Sequence, residues 1–453
     1  MEYNSLIKKF PKFIYRSYSI EENDEEITIK YEFEIPGLNT FNPKTVIPKK
    51  EFKFKSIDSE FVKNIVFFIG MIEAISYFKI TCSPQFVIEC GNLSEEQKEW
   101  FRKLFYLGLG EFRYRNNIDA LEDNFVHFEG NGNIINQSEL ALDEIENMDS
   151  KKGILIPVGG GKDSNVSMDI LKPYKENSLV VTIGAKDVVK NCAYVAGYED
   201  KDIVEIYRVF PIELKNANEA GYLNGHTPFS AIVAFYTYLV AYLLDKKYIA
   251  LSNEDSANQT NVEGENINHQ YSKTYEFEKD FREFAAKYLK ANVEYFSLLR
   301  PITEFQIAML FAKQKEYHKV FKSCNVGSKQ EPWVWCCDCP KCLFVYTILS
   351  PFLKREELID IFGEDLFEKE SLKDTFIELC GFGEIKPFEC VGTYEEVQYA
   401  VSEVIRQNEG KDLPYLIQYY KDNYELKLGD FRTYYNNQNF VPEEFSKLLK
   451  ERL

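Results

Sequence analysis

The stretch GILIPVGGGKDSNVSMDILK, residues 153–172, carries the reading of this sequence. GILIPV at 153–158 is a short unbroken apolar run, the pattern of a strand buried on both faces of a parallel sheet. Three glycines follow, Gly159, Gly160 and Gly161, and from Ser164 to Lys172 the pattern is helical. Strand, glycine turn and helix in that order aim successive backbone N–H groups and a helix N-terminus at one point, which makes a cradle for phosphate. Two familiar phosphate loops do not fit. A G-x-x-x-x-G-K-[ST] loop needs glycine where Ile156 stands and Ser or Thr where Asp163 stands, and a G-x-G-x-x-G loop matches Gly159 and Gly161 but fails at Ser164. The glycines allow close approach to pyrophosphate, the Lys162 ammonium can offset its charge, and Asp163 can hold Mg²⁺ through oxygen. A bare glycine turn would need neither the lysine nor the acid.

Working outward, LVVTIG (179–184) and YIALS (248–252) read as further buried strands, and the apolar run at 229–244 as a buried helix. Strands alternating with helices indicate a parallel α/β sheet. Upstream, strand-like ITIKYEFEI (27–35) and FVIEC (86–90) flank an apolar helical stretch at 61–78, and the acidic segment LALDEIENMDSKK (140–152) marks a boundary. Beyond about 310 the pattern is helical and ends in a charged amphipathic tail, VPEEFSKLLKERL. The expected organisation is an α+β N-terminal domain over 1–148, an α/β nucleotide-binding domain over 149–310, and a mostly helical region over 311–453.

Composition narrows the function. The 453 residues hold 54 Lys and Arg against 72 Asp and Glu, a net charge of −18, with 45% apolar residues. Such a chain has a core of its own in each of its two or three expected domains, and its charge repels nucleic acid and anionic membranes. The 229–244 run is shorter than the roughly 20 residues a bilayer requires. The opening MEYNSLIKKFPKFIYRSY lacks the apolar core of a secretory signal, so a cytoplasmic location is expected.

Four of the ten cysteines crowd into Trp335-Cys336-Cys337-Asp338-Cys339-Pro340-Lys341-Cys342, with Cys324 upstream. Four thiolates at this spacing suit tetrahedral Zn²⁺, for instance Cys324, Cys337, Cys339 and Cys342. Iron–sulfur ligation, redox thiols and plain packing are the alternatives.

The 159–164 hexad resembles the S-G-G-x-D-S loop of the ATP pyrophosphatase (PP-loop) superfamily, with Gly159 in place of serine. Further segments carry a more specific likeness: YLGLGEFRYRNNI (106–118), LNGHTPFSA (223–231), ALSNEDSAN (250–258), NHQYSK (268–273), YFSLLRP (295–301), SCN (323–325), CCDCPKCLFV (336–345) and KPFECVG (386–392). Together they resemble the UDP-N-acetyl-muramoyl-L-alanyl-L-glutamate epimerase family of bacterial peptidoglycan synthesis, over about 150–400. The resemblance implies a PP-loop core and an enzyme dependent on ATP and Mg²⁺. It would invert the terminal L-Glu of UDP-MurNAc-L-Ala-L-Glu to D-Glu, releasing AMP and pyrophosphate. Residues 1–148 would hold the nucleotide-sugar end of that small-molecule substrate.

The chemistry explains the ATP. Removing a proton beside a carboxylate piles a second negative charge onto it, whereas an acyl-adenylate is neutral at that carbonyl and far more acidic at Cα. Within the motif segments His226 and His269 are the candidate general bases. Lys273 and Tyr271 are placed to stabilise the enolate or orient phosphate, and Glu254 or Asp255 to join Asp163 on Mg²⁺. Arg300 suits a carboxylate or diphosphate clamp. Cys390 invites comparison with two-thiol racemases, although a single cysteine decides nothing. The catalytic set expected is thus Lys162, Asp163, His226, His269 and Lys273, with Gly159, Gly160, Gly161, Lys162, Asp163 and Ser164 on ATP. Rival readings keep the adenylate but pass it to an amine or to sulfur, or make the chain a non-enzymatic nucleotide-binding module.

Overall fold

The computed structural model of the chain describes residues 1–135, 153–184, 186–262 and 264–453; the acidic segment at 140–152 and the boundary at 148 lie outside them. The strands among the described residues are β1 (Lys12–Glu22), β2 (Glu26–Ile35), β3 (Asn39–Phe41), β4 (Lys44–Pro48), β5 (Gln85–Ile88), β6 (His127–Gly130), β7 (Ile154–Pro157), β8 (Ser178–Ile183), β9 (Ile203–Val209), β10 (Tyr248–Leu251) and β11 (Glu294–Ser297). All belong to one sheet in the order β11-β10-β7-β8-β9-β4-β2-β1-β5-β6, with β3 on β2.

Strands β7 to β11 pair only in parallel with one another. Their spatial order from β9 to β11, counted along the chain, is 3-2-1-4-5. The build-up therefore reverses between β7 and β10, and at such a reversal the connections leave toward opposite faces and open a crevice at the carboxyl ends of the strands. The glycine turn leaves β7 at that point. On the other side, β9 pairs antiparallel with β4 and so joins the parallel half to the N-terminal strands. After β11 the described chain is helical, with no further strand among the described residues.

The abundant aromatics fill the core. Helix Glu60–Phe78 lies almost wholly buried on the N-terminal strands, where Tyr15, Tyr31, Phe33 and Tyr77 pack ring on ring. A Cβ at Gly70 would collide with the Tyr15 ring, so glycine is required where that tyrosine crosses the helix. This helix is the one long and apolar enough to span a bilayer among the described residues, and 94% of its apolar window is buried within the protein. Helix Phe229–Leu243 shares the same core, with the Phe61 and Tyr242 rings 3.9 Å apart. A second core packs helix Lys162–Ile170 against the C-terminal helices. The amphipathic tail forms helix Glu443–Arg452, whose Phe445 sits on Tyr248 of β10 and Phe296 of β11.

One buried ion pair crosses the first core. Glu73 of helix Glu60–Phe78 accepts two hydrogen bonds from Arg208 of β9, at 2.7 and 2.6 Å, and one from the Tyr236 hydroxyl at 2.9 Å. Replacing Arg208 with Met strands this carboxylate without its cation. The expected loss is about 3–5 kcal/mol of unfolding free energy in urea denaturation, and a loss below about 1 kcal/mol would show that the pair contributes no more than a surface bridge.

Candidate active site

The β7 turn is built for an anion. Gly160 has φ +83°, and a Cβ there would press on Val188 at 2.9 Å, so this position requires glycine. Gly161 is the N-cap of helix Lys162–Ile170 and no side chain caps that end, which leaves its first N–H groups available. The turn is tied to the C-terminal half by the Lys322 N–H, which donates to the Gly160 carbonyl oxygen at 3.0 Å.

A cavity of about 520 Å³ opens in front of the turn. Gly159, Gly161, Asp163 and Ser164 line one side, the β8 edge and Val233 another, and Lys273, Ser323, Lys341, Trp333 and Cys390 the far wall. The Ser323 hydroxyl is buried there without a hydrogen-bond partner.

Acids converge beneath the turn. Asp163 starts its helix, Glu254 follows β10, and Glu304 is the first residue of helix Glu304–Ala312, which a Thr303–Gln306 capping box fixes just after β11. Their carboxylate oxygens lie within 4.8 Å of one another. Lys162, 1% exposed, ion-pairs with both Asp163 and Glu304. Burial works to raise the Asp163 carboxyl, but Lys162 and Lys341 outweigh it and hold it below the usual range. Burial pushes the Glu304 carboxyl up, with Asp163 and Glu254 adding to the shift against the pull of Lys162. An all-oxygen set of this kind is the chemistry of a hard divalent cation, so these three residues fit Mg²⁺. Asp255 does not join them, because its carboxylate accepts from Tyr434 at 2.6 Å and Asn436 at 2.7 Å.

A second group meets the cavity at Cys390. The Lys273 ammonium lies 3.3 Å from the Cys390 sulfur, and the Lys341 ammonium donates to the Cys390 carbonyl. Behind them, Glu111 holds His269 at 2.5 Å and lies 3.6 Å from His226, whose ring centre is 4.3 Å from that of His269. Burial alone would raise the Cys390 thiol, yet Lys273, His269 and Lys341 bring it down to about 6. Burial disfavours charge on His269, but its bonds to Cys390 and Glu111 raise it to about 9. Burial and the neighbouring His269 push His226 down to about 3.

Among the residues singled out from the sequence, Asp163 and Lys273 line the cavity, Lys162 and Glu254 are buried against Asp163, and His269 lies one contact behind Cys390. Arg300 and Tyr271 serve otherwise. The fully buried Arg300 guanidinium bonds Glu278 and the carbonyls of Glu254 and Lys273, so it braces the wall and offers no clamp to a ligand. Tyr271 packs into the core beside Phe277. The cysteine set also needs correcting: Cys336 joins Cys324, Cys339 and Cys342, whereas Cys337, at φ +55°, turns its thiol to the Phe362 carbonyl at 3.2 Å. Sequence reasoning passed over Glu304, Glu111 and Lys341. The T-x-x-Q capping signal at 303–306 would have placed Glu304 at the same sheet edge as Glu254.

A family model described as the MurL N-terminal domain matches residues 4–298, and one described as the MurL C-terminal domain matches 320–430. Three curated relatives carry the name UDP-N-acetyl-alpha-D-muramoyl-L-alanyl-L-glutamate epimerase. The protein of Xanthomonas oryzae pv. oryzae is 31% identical over 81% of this chain and 80% of its own length. That of a Micromonospora species is 31% identical over 91% and 90%, and that of Salinispora tropica 30% over 91% and 88%. No solved structure matches the chain.

The Lys273–Cys390 contact predicts a pH profile. Alkylation of Cys390 by iodoacetamide, followed on its peptide by mass spectrometry, should switch on as pH rises through about 6, because only the thiolate reacts. Lys273→Met removes the first-named cation, so the switch should move up and the rate at pH 7 fall about tenfold or more. An unchanged profile would remove Lys273 as the cause.

Proposed function

The chain belongs to the MurL family, and on that premise we propose that it is an ATP-dependent epimerase that inverts the terminal L-Glu of UDP-MurNAc-L-Ala-L-Glu. The observation that carries this reading is the meeting of two chemistries on one cavity. An uncapped glycine turn and Asp163, with Glu254 and Glu304 buried against it, share the cavity with a cysteine flanked by a lysine and a histidine. The 3-2-1-4-5 order with its loop at the reversal supports a PP-loop core.

ATP and the glutamyl end of the substrate share the cavity, which falls within the about 300–1,000 Å³ that small-molecule sites occupy. A substrate carboxylate oxygen attacks the α-phosphorus and the bond to the β-phosphate bridging oxygen breaks. The loop N–H groups, the helix N-terminus and Lys162 stabilise the departing pyrophosphate where its charge develops. Asp163, Glu254 and Glu304 would hold Mg²⁺, which would supply positive charge to offset that of the phosphates. The Cα proton of the resulting acyl-adenylate then passes to the Cys390 thiolate, Lys273 offsetting the enolate charge. His269, bonded to Cys390 from behind the cavity wall, keeps its proton up to about pH 9 and so holds the thiolate, and a proton taken from water by the opposite face of Cα completes the inversion. His226 stays neutral and, with Glu111, orients His269. Hydrolysis of the adenylate releases AMP and the free carboxylate. The nucleotide-sugar end extends past Phe229, which also lines a neighbouring cavity of about 250 Å³ carrying Ser76 and Lys79 from the N-terminal part. Every step here is cytosolic chemistry on a water-soluble precursor.

Incubation with ATP, Mg²⁺ and UDP-MurNAc-L-Ala-L-Glu, read by pyrophosphate release and chiral analysis of the glutamate, tests the reading. Wild type should give pyrophosphate and D-Glu together. Asp163→Asn should lower both about 100-fold or more. Cys390→Ser should lower inversion by a similar factor while pyrophosphate release continues. Pyrophosphate without D-Glu from wild type would send the adenylate to another acceptor, and full inversion by Cys390→Ser would remove the thiol from the mechanism.

A further inference from the structure

The four-thiol cluster lies beside the cavity rather than in it, and none of the steps above uses it. Its Sγ–Sγ separations are 3.9 Å for Cys324 to Cys339, 3.7 Å for Cys336 to Cys342 and 3.5 Å for Cys339 to Cys342, and all four sulfurs fall within 4.8 Å of one another. These are not disulfides, which bring sulfurs to about 2.05 Å. A tetrahedral ion bonded to sulfur at about 2.3 Å sets its four sulfurs about 3.8 Å apart, within the observed spread. An iron–sulfur cluster would hold its thiolates wider, since several irons and sulfides stand between them.

The surroundings treat the sulfurs as ligands. The Gly327 N–H donates to the Cys324 sulfur at 3.1 Å, and a Cβ at that glycine would press on the same sulfur and collide with the Val334 carbonyl. Cys339 is the N-cap of helix Pro340–Leu349 with Pro340 at its first position, so the last two sulfurs are presented by the start of a rigid element. Cys324, Cys339 and Cys342 are buried and Cys336 is partly exposed. Packing alone does not account for four mutually facing thiols.

We infer that Cys324, Cys336, Cys339 and Cys342 bind one structural Zn²⁺ that fixes the far wall of the cavity. Cys324 stands between Ser323 and Asn325, which both line that wall, and Lys341, between two of the ligands, reaches the Cys390 carbonyl. The Trp333 indole N–H donates to the Cys324 carbonyl at 2.8 Å, and the Lys186 ammonium to that of Ser328. The ion thus staples the loop carrying Cys324 and Cys336 to the helix whose first turn carries Lys341 to the Cys390 carbonyl. Zinc has no redox chemistry and four protein thiolates leave it no open position, so its role is to hold the wall. This inference stands whether or not the chain epimerises.

The test is elemental analysis of the purified full-length chain together with mercurial titration of its thiols. One zinc per chain is expected, released as four thiols are modified, with the thermal midpoint falling by about 5 °C or more when zinc is chelated. Protein grown on cobalt should show the intense charge-transfer absorption of a tetrathiolate Co²⁺ site. Cys336→Ser should lose the metal and Cys337→Ser should keep it. If Cys336→Ser fails to fold, the wild-type stoichiometry and the cobalt spectrum still decide. Metal-free active protein, or iron with labile sulfide, would overturn the zinc, and loss of metal from Cys337→Ser but not from Cys336→Ser would overturn the ligand set.

Discussion

A lysine ammonium with almost no access to water, pinned between two carboxylates, ties this molecule together. Lys162 leaves the glycine turn and ion-pairs with Asp163 of its own helix and Glu304 of the helix after β11. A buried cation without partners is expensive, and so is a buried carboxylate, so neither the turn nor the C-terminal half can shift without leaving the other uncompensated. Glu304 is fixed in turn, because its backbone N–H donates to the Glu396 carboxylate at 2.6 Å. The same charges shape the site: Asp163, Lys273 and Lys341 line one opening, and Glu254, Glu304 and Lys162 are buried against Asp163. In the proposed reaction a phosphate chain with its cation would enter by exchanging partners within this balanced set.

The arrangement also brings two reactions within reach of each other. In the proposed reaction, activation would belong to the β7 edge, where helix and sheet supply fixed dipoles, and proton transfer to the wall carrying Cys390. Inverting an α-carbon beside a free carboxylate demands a dianion-like intermediate that few enzymes can stabilise by electrostatics alone. Neutralising the carboxylate first moves that demand from the protein to the substrate, and a thiolate flanked by a lysine and a charged histidine is then a sufficient base. The second core packs the helix of the turn against the helices of the wall, so the spacing between the two chemistries is set by apolar burial and not by surface loops.

The parallel half of the sheet was legible because GILIPV, LVVTIG and YIALS are uninterrupted apolar runs bounded by turns, and a strand buried on both faces leaves that trace. The helices at 60–78 and 229–243 were legible for the same reason. Strand β9 and the short β11 were not, since IYRV and EYFS mix polar residues into pairings that only the assembled sheet requires. Lys162, Asp163 and Glu254 could be named from spacing because each sits within a few residues of a strand end. Arg300 could not be judged that way: guanidinium near a motif looks like a ligand clamp until Glu278 is found opposite it. Among the cysteines, spacing allowed more than one set of four, the example with Cys337 included, and only the fold shows the left-handed backbone that turns its buried thiol to the Phe362 carbonyl and leaves the position to Cys336. Glu111 and Cys390 are 279 residues apart and meet only through tertiary packing around His269.

In the proposed reaction activation precedes proton transfer, and the order can be read directly. UDP-MurNAc-L-Ala-L-Glu incubated with the enzyme and Mg²⁺ in D₂O, with and without ATP, is examined by mass spectrometry for deuterium at the glutamate Cα. Deuterium should enter only when ATP is present, and should accompany pyrophosphate release. Deuterium entering at a comparable rate without ATP would contradict the account, because the thiol and its neighbours would then be abstracting the proton from an unactivated carboxylate.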